Sequence, residues 1–452
     1  MTAEIAKEAA EDAEKGCGCE TRSTTKNTKE ILTTSWMHYV HWIAGTILAL
    51  AWLSRIVEAA IGMPSVADIS REEWDRNPVT SSGNPRVSII VPARNEEETI
   101  EQSLRTLLAL DYDNYEVIAV NDRSTDRTGE IMERVAANSQ SENPQHQHPH
   151  PVPPKDGGTR MGHPTPTSRL RVVHHRELPE GWLGKTHAMW TATNLASGDW
   201  LLFTDADVLF KPESLRCALA YAQAEKADHV VLFPRIIMKR PGEYMMIAFF
   251  QTMFVFGHRP WKVADPKARD HMGVGAFNLV RRSVYEAVGT YERLRMEVVD
   301  DMKLGKVVKN GGFAQRNVFG ADLISIRWAT GAMGVIDNLT KNFFAVLSFQ
   351  WWRALISAGG LVFLNLGPFL GVWLAHGWAR VPYGVALLSM FFIYLGMSWR
   401  SAVPSYYFFL HPVSTVLFTY TLLRSMVLTL WNDGIEWRGT KYPLEELRKG
   451  MV

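Results

Sequence analysis

A chain of 452 residues is long enough for two or three domains, and its Lys+Arg 48 against Asp+Glu 47 leaves a net charge of +1. That balance argues against a partner held by bulk charge, so no nucleic-acid partner is expected. Three cysteines rule out a disulfide framework, and 46% hydrophobic residues rule out a disordered chain. Mean hydropathy near zero, −0.09, can conceal a polar domain joined to membrane segments, so the distribution of apolar residues matters more than their average.

Residues 1–35 are charged and small with no apolar core segment, which predicts a disordered polar tail and not a signal peptide. Cys17 and Cys19 form a C-x-C there, with no second pair to complete a zinc site. From Trp36 to Ser54 the chain carries no charge. At about 1.5 Å per residue such a stretch reaches about 28 Å, enough for one bilayer span.

The polar middle of the chain, residues 84–331, alternates strand and helix. Val87–Pro92, Tyr115–Val120, Leu170–Val173 and Trp200–Thr204 read as short buried strands, with helices from about Glu96 and over Asp126–Ala137. This alternation predicts an α/β domain with a mostly parallel sheet covered on both faces. Residues 138–168, rich in Pro, Gly and His, interrupt the pattern as a surface insertion. His146, His148, His150 and His163 lie there, in a segment too Pro-rich to hold metal ligands in fixed geometry.

In a parallel sheet the ligand sits at the carboxyl ends of the strands. Asp122 follows the second strand in NDRSTD, and Asp205 and Asp207 follow the fourth in FTDAD, so all three are expected at one edge. A D-x-D on a turn offers two hard oxygen ligands suited to Mg or Mn, and such a cation would offset the charge of a diphosphate. A phosphoaspartyl hydrolase also carries paired aspartates after a strand, but Leu209 stands where it needs Thr or Val. The sequence has no G-x-G-x-x-G after the first strand, which removes a dinucleotide oxidoreductase. Further along, Asp300 and Asp301 are adjacent acids that raise each other's pKa, so one can act as a general base; a helix start, where acids are favoured, is the compatible structural reading.

VPARNE (Val91–Glu96), NDRSTD (Asn121–Asp126), GWLGK (Gly181–Lys185), FTDAD (Phe203–Asp207), GVGAFNLVRR (Gly273–Arg282) and VDDMKL (Val299–Leu304), in this order, resemble the inverting glycosyltransferases of family 2, which adopt the GT-A fold. The resemblance implies a nucleotide-sugar donor, a UDP- or GDP-sugar, and a divalent metal. It implies that Pro92, Arg94, Glu96 and Asp122 hold the nucleoside, that Lys185 and Asp205 lie on the donor side, and that Asp207 binds the metal. Asp301 would be the base, although Asp300 replaces the family's usual Glu and leaves the choice between the two acids open.

After the polar domain the chain turns apolar. Residues 332–353 read as an interfacial helix, and residues 354–430 hold three uncharged stretches (Ala354–Ala375, Val381–Trp399 and Ser401–Leu423) before a basic tail, residues 431–452. The chain is therefore expected in a bacterial plasma membrane with the catalytic domain cytoplasmic. An odd number of complete spans would then put Arg438, Lys441, Arg448 and Lys449 outside, against the positive-inside rule, so one of the three stretches is expected to be re-entrant or interfacial, or the charge count misleads.

The apolar run Tyr244–Gly257 reads either as a helix laid on the bilayer or as an ordinary buried helix. Such surfaces favour a membrane lipid as acceptor. Gln350 and Arg353 match part of a Q-x-x-R-W motif on the acceptor side, with Ala354 in place of Trp. The layout, with Pro179, Gly181, Trp182, Gly184 and Lys185 and a terminal WRG-x-x-Y (Trp437–Tyr442), is similar to the hopene-associated and carotenoid glycosyltransferases. A processive synthase needs more spans and an intact motif. A polyprenyl-phosphate sugar synthase shares fold and lipid acceptor, and a non-catalytic nucleotide-binding scaffold is the alternative of another class.

Overall fold

The structure is a computed structural model that describes residues 36–78, 84–141, 169–320, 322–401 and 403–452. Cys17, Cys19 and the histidines of the 138–168 insertion lie outside the described residues.

A long helix, α1 (Trp36–Ser65), leads into the α/β half of the chain. There β1 (Val87–Ala93), α2 (Ile100–Leu108), β2 (Tyr115–Asp122), α3 (Thr128–Ser141), β3 (Leu170–His175), α4 (Gly184–Leu195) and β4 (Trp200–Phe203) follow in order. β5 (Val208–Phe210), α5 (Ser214–Ala224), β6 (His229–Phe233), β7 (Arg235–Ile236), α6 (Pro241–Gly257) and β8 (Asn278–Arg281) continue the chain. Two short helices, α7 (Arg282–Ala287) and α8 (Thr290–Arg293), then precede α9 (Asp300–Asn310), β9 (Gln315–Phe319) and β10 (Ile324–Ile326).

The main sheet has seven strands in the order β3-β2-β1-β4-β8-β6-β9. All neighbours pair in parallel except β8, which is antiparallel to both β4 and β6. Alternate residues point to opposite faces, so Ile89, Val117 and Leu202 enter one core while Ile90, Ile118 and Leu201 enter the other. Both faces are covered, which is why the strands read as unbroken apolar runs and not as alternating ones. A small sheet, β5-β10-β7, lies beside the main one.

The register sets the site. Ala93 pairs with Asn121, Asp122 with His175, and Ile90 with Phe203, so β1 to β4 end along one edge. Because β8 runs the other way, Asn278 at its start pairs with Phe203 at the end of β4. The residues before β8 therefore reach that same edge.

The second half of the chain is helical: α10 (Gly331–Val346), α11 (Trp351–Leu374), α12 (Val381–Arg400) and α13 (His411–Trp431). Among the described residues four helical segments are long and apolar enough to cross a membrane, namely α1, α11, Gly377–Trp399 and Ser405–Trp431. Large apolar side chains such as Ile47, Ile356, Phe392 and Val416 face outward on them, and Trp373 and Trp431 are more than four-fifths exposed. Inside, the indole N–H of Trp52 on α1 donates to the Leu364 carbonyl at 2.9 Å, and His411 joins Tyr394 and Asn365 at 2.9 and 3.0 Å, so the buried polar groups are paired.

The α6 run does not present an apolar face outward. Met246, Ile247 and Phe249 are buried against α10 and α13, and Ala248 packs with Leu48 and Tyr383 of the long helices. Its apolar character comes from contacts on several sides, as a helix joining the α/β half to the long apolar helices. Beyond α13, a hairpin of β11 (Gly434–Trp437) and β12 (Thr440–Pro443) and the short α14 (Leu444–Lys449) turn back onto the α/β half.

Candidate active site

Two loops at the sheet edge are laced together. Asn95, in the left-handed region at φ 54°, accepts from the Thr125 amide at 2.8 Å, and the Glu96 amide donates to Thr128 Oγ1 at 2.7 Å. The lacing explains why α2 begins at Ile100 and not at Glu96, since residues 94–99 serve the loop. It also holds Arg94 3.8 Å from Asp122.

Asp122 is buried. Arg123 grips its carboxylate through two contacts of 2.9 and 3.1 Å, with Arg94 at 3.8 Å and His175 at 4.0 Å. His175 and His187 lie tilted against each other near Trp182, ring centroids 4.6 Å apart, and among the described residues neither His175 nitrogen nor His187 Nδ1 has a hydrogen-bond partner. Burial first, and His175 second, pushes His187 down to about 4, so it is neutral at pH 7. Flat, neutral rings beside an ion-paired carboxylate suit a planar heterocycle.

The D-x-D turn is held by the chain before β8. The Asp205 amide donates to the Gly275 carbonyl at 3.0 Å, and Thr204 Oγ1 donates to the Ala276 carbonyl at 2.8 Å. Side chains are excluded here: a Cβ on Gly275 would lie 2.4 Å from Asp205 Oδ2, and one on Gly273 would lie 1.8 Å from the Asp301 carbonyl oxygen. Lys185, on the first turn of α4, lies 2.8 Å from Asp205 Oδ1 and 3.5 Å from Asp300 Oδ1. One ammonium thus bridges the D-x-D turn and the acidic pair at the start of α9.

The carboxyls differ in charge state. Burial opposes ionisation of Asp205, yet the Lys185 ammonium overrides it and holds that carboxyl below its ordinary range. Asp207 has no ion-pair partner among the described residues; burial, then Asp205 and Glu96, pushes it up to about 7. Asp300 rises to about 6, chiefly from burial, against the opposing pull of Lys185. Asp301 also rises, again chiefly from burial and against Lys185.

No group of three or more His, Cys, Asp or Glu side chains that could hold a metal occurs among the described residues. Asp207, crowded by other acids and lacking a cation, still suits a divalent metal whose remaining ligands come from the substrate.

Residues from the far end of the chain complete the pocket. Arg438, at the hairpin turn with φ 50°, ion-pairs with Glu96 and donates to the Arg94 carbonyl. The Tyr442 hydroxyl accepts the Gly184 amide at 3.1 Å. Ile435, Tyr442, Leu444 and Leu447 are buried with Leu183, Met296 and Phe344. At about 1.5–3 kcal/mol per fully buried apolar side chain against roughly 1 kcal/mol for one hydrogen bond, apolar packing docks the hairpin and the polar contacts aim it. Lys341 on α10 stacks on the Trp437 ring at 4.5 Å, and burial, then Lys185 and Arg438, pushes it down to about 8.

Sequence reasoning missed Lys341, His175 and His187. It named Tyr442 only as part of a terminal motif, and Arg438 as part of that motif and of the basic tail. Gln350 and Arg353 stand elsewhere: Gln350 lines a surface cavity of about 630 Å³ with Lys303, Lys306 and Trp352, and Arg353 is exposed and stacks on Trp352.

Residues 88–146 and 166–289 match the model of glycosyl transferase family 2. The chain carries a glycosyltransferase family 2 domain. All of the 4,4'-diaponeurosporenoate glycosyltransferase of Staphylococcus aureus (strain MRSA252) aligns with 88% of this chain at 21% identity. The enzyme of the same name from Staphylococcus haemolyticus (strain JCSC1435) is 22% identical over 259 residues, 57% of this chain and 60% of its own length. Among solved structures, the mannosyltransferase PcManGT of Pyrobaculum calidifontis, in complex with GDP-Man and Mn2+, aligns with 87% of this chain and 99% of its own, at 19% identity and TM-score 0.47. The glycosyltransferase identity thus rests on the family match and the curated relatives, and the mostly parallel α/β sheet fits it.

Proposed function

We propose that this protein is a membrane-bound inverting glycosyltransferase. It moves a sugar from a UDP- or GDP-sugar to an apolar membrane lipid of carotenoid or hopanoid type. The observation that carries this reading is the Lys185 bridge, which sets the donor-side carboxylate Asp205 and the acidic pair Asp300–Asp301 across one cation. Attachment of that domain to four helices able to cross a membrane supports a lipid acceptor, as does the apolar carotenoid acid in the name of the staphylococcal relatives. The catalytic domain is placed on the cytoplasmic side, where nucleotide-sugars are made.

In the proposed reaction Asp301 takes the proton of the acceptor hydroxyl. The oxygen forms its bond to the anomeric carbon on the face away from the nucleotide, while the carbon–oxygen bond to the β-phosphate breaks and the nucleoside diphosphate leaves with the electron pair. One displacement inverts the configuration. Asp207, with Asp205 beside it, would hold a Mg or Mn ion, which when bound offsets the charge gathering on the leaving diphosphate. Asp122 with Arg94 and Arg123, and the His175–His187–Trp182 cluster, would seat the nucleoside.

The test is release of nucleoside diphosphate by the purified full-length protein in detergent, from a panel of UDP- and GDP-sugars, with and without a total lipid extract. Release that requires a divalent cation, rises with lipid and is lost in Asp207→Ala is the expected result. Failure of every donor, with nucleotide binding intact, would instead establish a binding scaffold.

A further inference from the structure

Three cations face the carboxylates of the D-x-D turn, and they come from three separate parts of the chain. Lys185 belongs to the family 2 domain and is committed to Asp205 and Asp300. Arg438 comes from the C-terminal hairpin and is tied to Glu96. Lys341 comes from α10 and has no acidic side chain at ion-pair distance among the described residues; its one direct partner is the face of Trp437. Both Lys341 and Arg438 stand within electrostatic reach of Asp205.

An aromatic face attracts an ammonium only weakly compared with a direct anion contact. Trp437 therefore fixes where the Lys341 head sits without pairing its charge: Lys185 and Arg438 repel it, and Asp205 and Asp300 attract it from beyond ion-pair distance. A partly buried ammonium kept in that position is a site waiting for an anion. The hairpin turn strengthens the case. Arg438 adopts a left-handed backbone that a non-glycine residue rarely takes, and there its guanidinium reaches over the 94–96 loop.

We propose that Lys341 and Arg438 form a diphosphate clamp, supplied by the membrane-proximal helix and the C-terminal hairpin and not by the family 2 domain. This deepens the reading above and rests on it. The clamp holds the two phosphates of the donor and gains strength as negative charge collects on the departing β-phosphate. Trp437 acts as a positioning residue for Lys341. The nucleoside half of the donor is assigned to Asp122, Arg123 and the His175–His187 pair, none of which Lys341 touches, so loss of Lys341 weakens the phosphates' hold alone, whereas Arg438 also steadies the 94–96 loop.

The experiment compares UDP with uridine, and GDP with guanosine, as ligands of the full-length protein in detergent. It uses wild type, Lys341→Gln, Arg438→Gln and Lys341→Arg, with thermal melting as a check on folding. Lys341→Gln and Arg438→Gln should each weaken binding of the cognate nucleoside diphosphate by about tenfold or more, the equivalent of one lost charge-assisted contact. In Lys341→Gln affinity for the nucleoside should stay within about twofold, and Lys341→Arg, which keeps the charge, should recover part of the loss.

Equal losses for diphosphate and nucleoside would show that these residues merely support the pocket and would overturn the clamp. So would unchanged diphosphate affinity in both Gln variants. If wild type binds a diphosphate and transfers sugar while the Gln variants match it, only the clamp falls. If wild type binds neither UDP nor GDP, the glycosyltransferase reading falls with it.

Discussion

Asp300 and Asp301 are neighbours in sequence but not in role. Asp300 is buried, 3.5 Å from Lys185 and within 3.5 Å of the Tyr291 hydroxyl, whereas Asp301 accepts the Met302 amide and makes no ion pair among the described residues. In the proposed reaction Asp301 is therefore the acid that takes the proton. Asp301→Asn should lower transfer to a hydroxyl acceptor by roughly 10²–10⁴-fold, the usual size of a lost general base, with donor affinity within about twofold. Asp300→Asn should release Lys185 and weaken donor binding as well. Steady-state rates together with donor titrations separate the two, and equal loss of donor binding in Asp301→Asn would count against its role. If the acceptor is a carboxylic acid already ionised at neutral pH, the Asp301→Asn defect shrinks, so its size reports the acceptor's chemistry.

Asp207 carries the pH dependence. Its carboxyl sits near 7 in the folded protein, above its ordinary value, so between about pH 4 and 7 the folded state without a cation binds more protons than the unfolded chain. That protonation favours the fold at low pH, and the advantage is lost as pH rises through about 7. A cation must displace the same proton, so apparent Mn affinity in the presence of nucleoside diphosphate should fall by up to tenfold per unit of pH below about 7. Calorimetric titration at pH 5.5, 6.5 and 7.5 checks this, and a flat affinity would contradict it.

Among the elements, the leader of β8 decides whether the acids are placed at all. Gly273 faces the Asp301 carbonyl and Gly275 faces the Asp205 carboxylate, with no room for a methyl group at either. Gly273→Ala should abolish transfer and lower the melting temperature by several degrees, because a backbone carbonyl cannot swing aside as a side chain can. Gly257→Ala, where a Cβ would meet nothing within 4 Å, is the control and should leave both unchanged.

The same strand marks how far the sequence could be read. β1, β2 and β4 were legible because burial on both faces makes them continuous apolar runs, and Asp122 and Asp205 were legible as the residues that end or follow them. That β8 runs antiparallel was not, since apolar patterning carries no direction, and neither was the small β5-β10-β7 sheet of two- and three-residue strands. Lys341 could not be found by pattern at all. Its meaning depends on Trp437, almost a hundred positions away in the chain, being folded beneath it.

Over the whole molecule, the hairpin's docking constrains membrane topology. Arg438 touches Glu96 and Tyr442 touches Gly184, so residues 434–452 lie on the same side of the bilayer as the catalytic domain. In a bilayer the chain between Gly331 and Gly434 would then cross an even number of times, so α11, α12 and α13 would not all be complete crossings. With the catalytic domain on the cytoplasmic side, as proposed, the basic tail would accord with the positive-inside rule. Cysteines introduced at Lys226 and Lys441, in a background with Cys17, Cys19 and Cys217 replaced, should both react with an impermeant reagent in inverted vesicles and neither in intact cells. Labelling of the two from opposite sides would refute the shared side.

The order of synthesis gives the hairpin one more consequence. A ribosome finishes residues 84–331 long before it reaches Trp437 and Arg438, and it makes α11, α12 and α13 in between. On the proposed clamp, the family 2 domain would emerge with its aspartates but without the wall that Arg438 and Tyr442 supply. That wall closes only when the later helices have settled and brought the hairpin home. A nascent or mis-inserted chain would accordingly hold nucleotide-sugar poorly, and assembly at the membrane would itself license the enzyme to consume its donor.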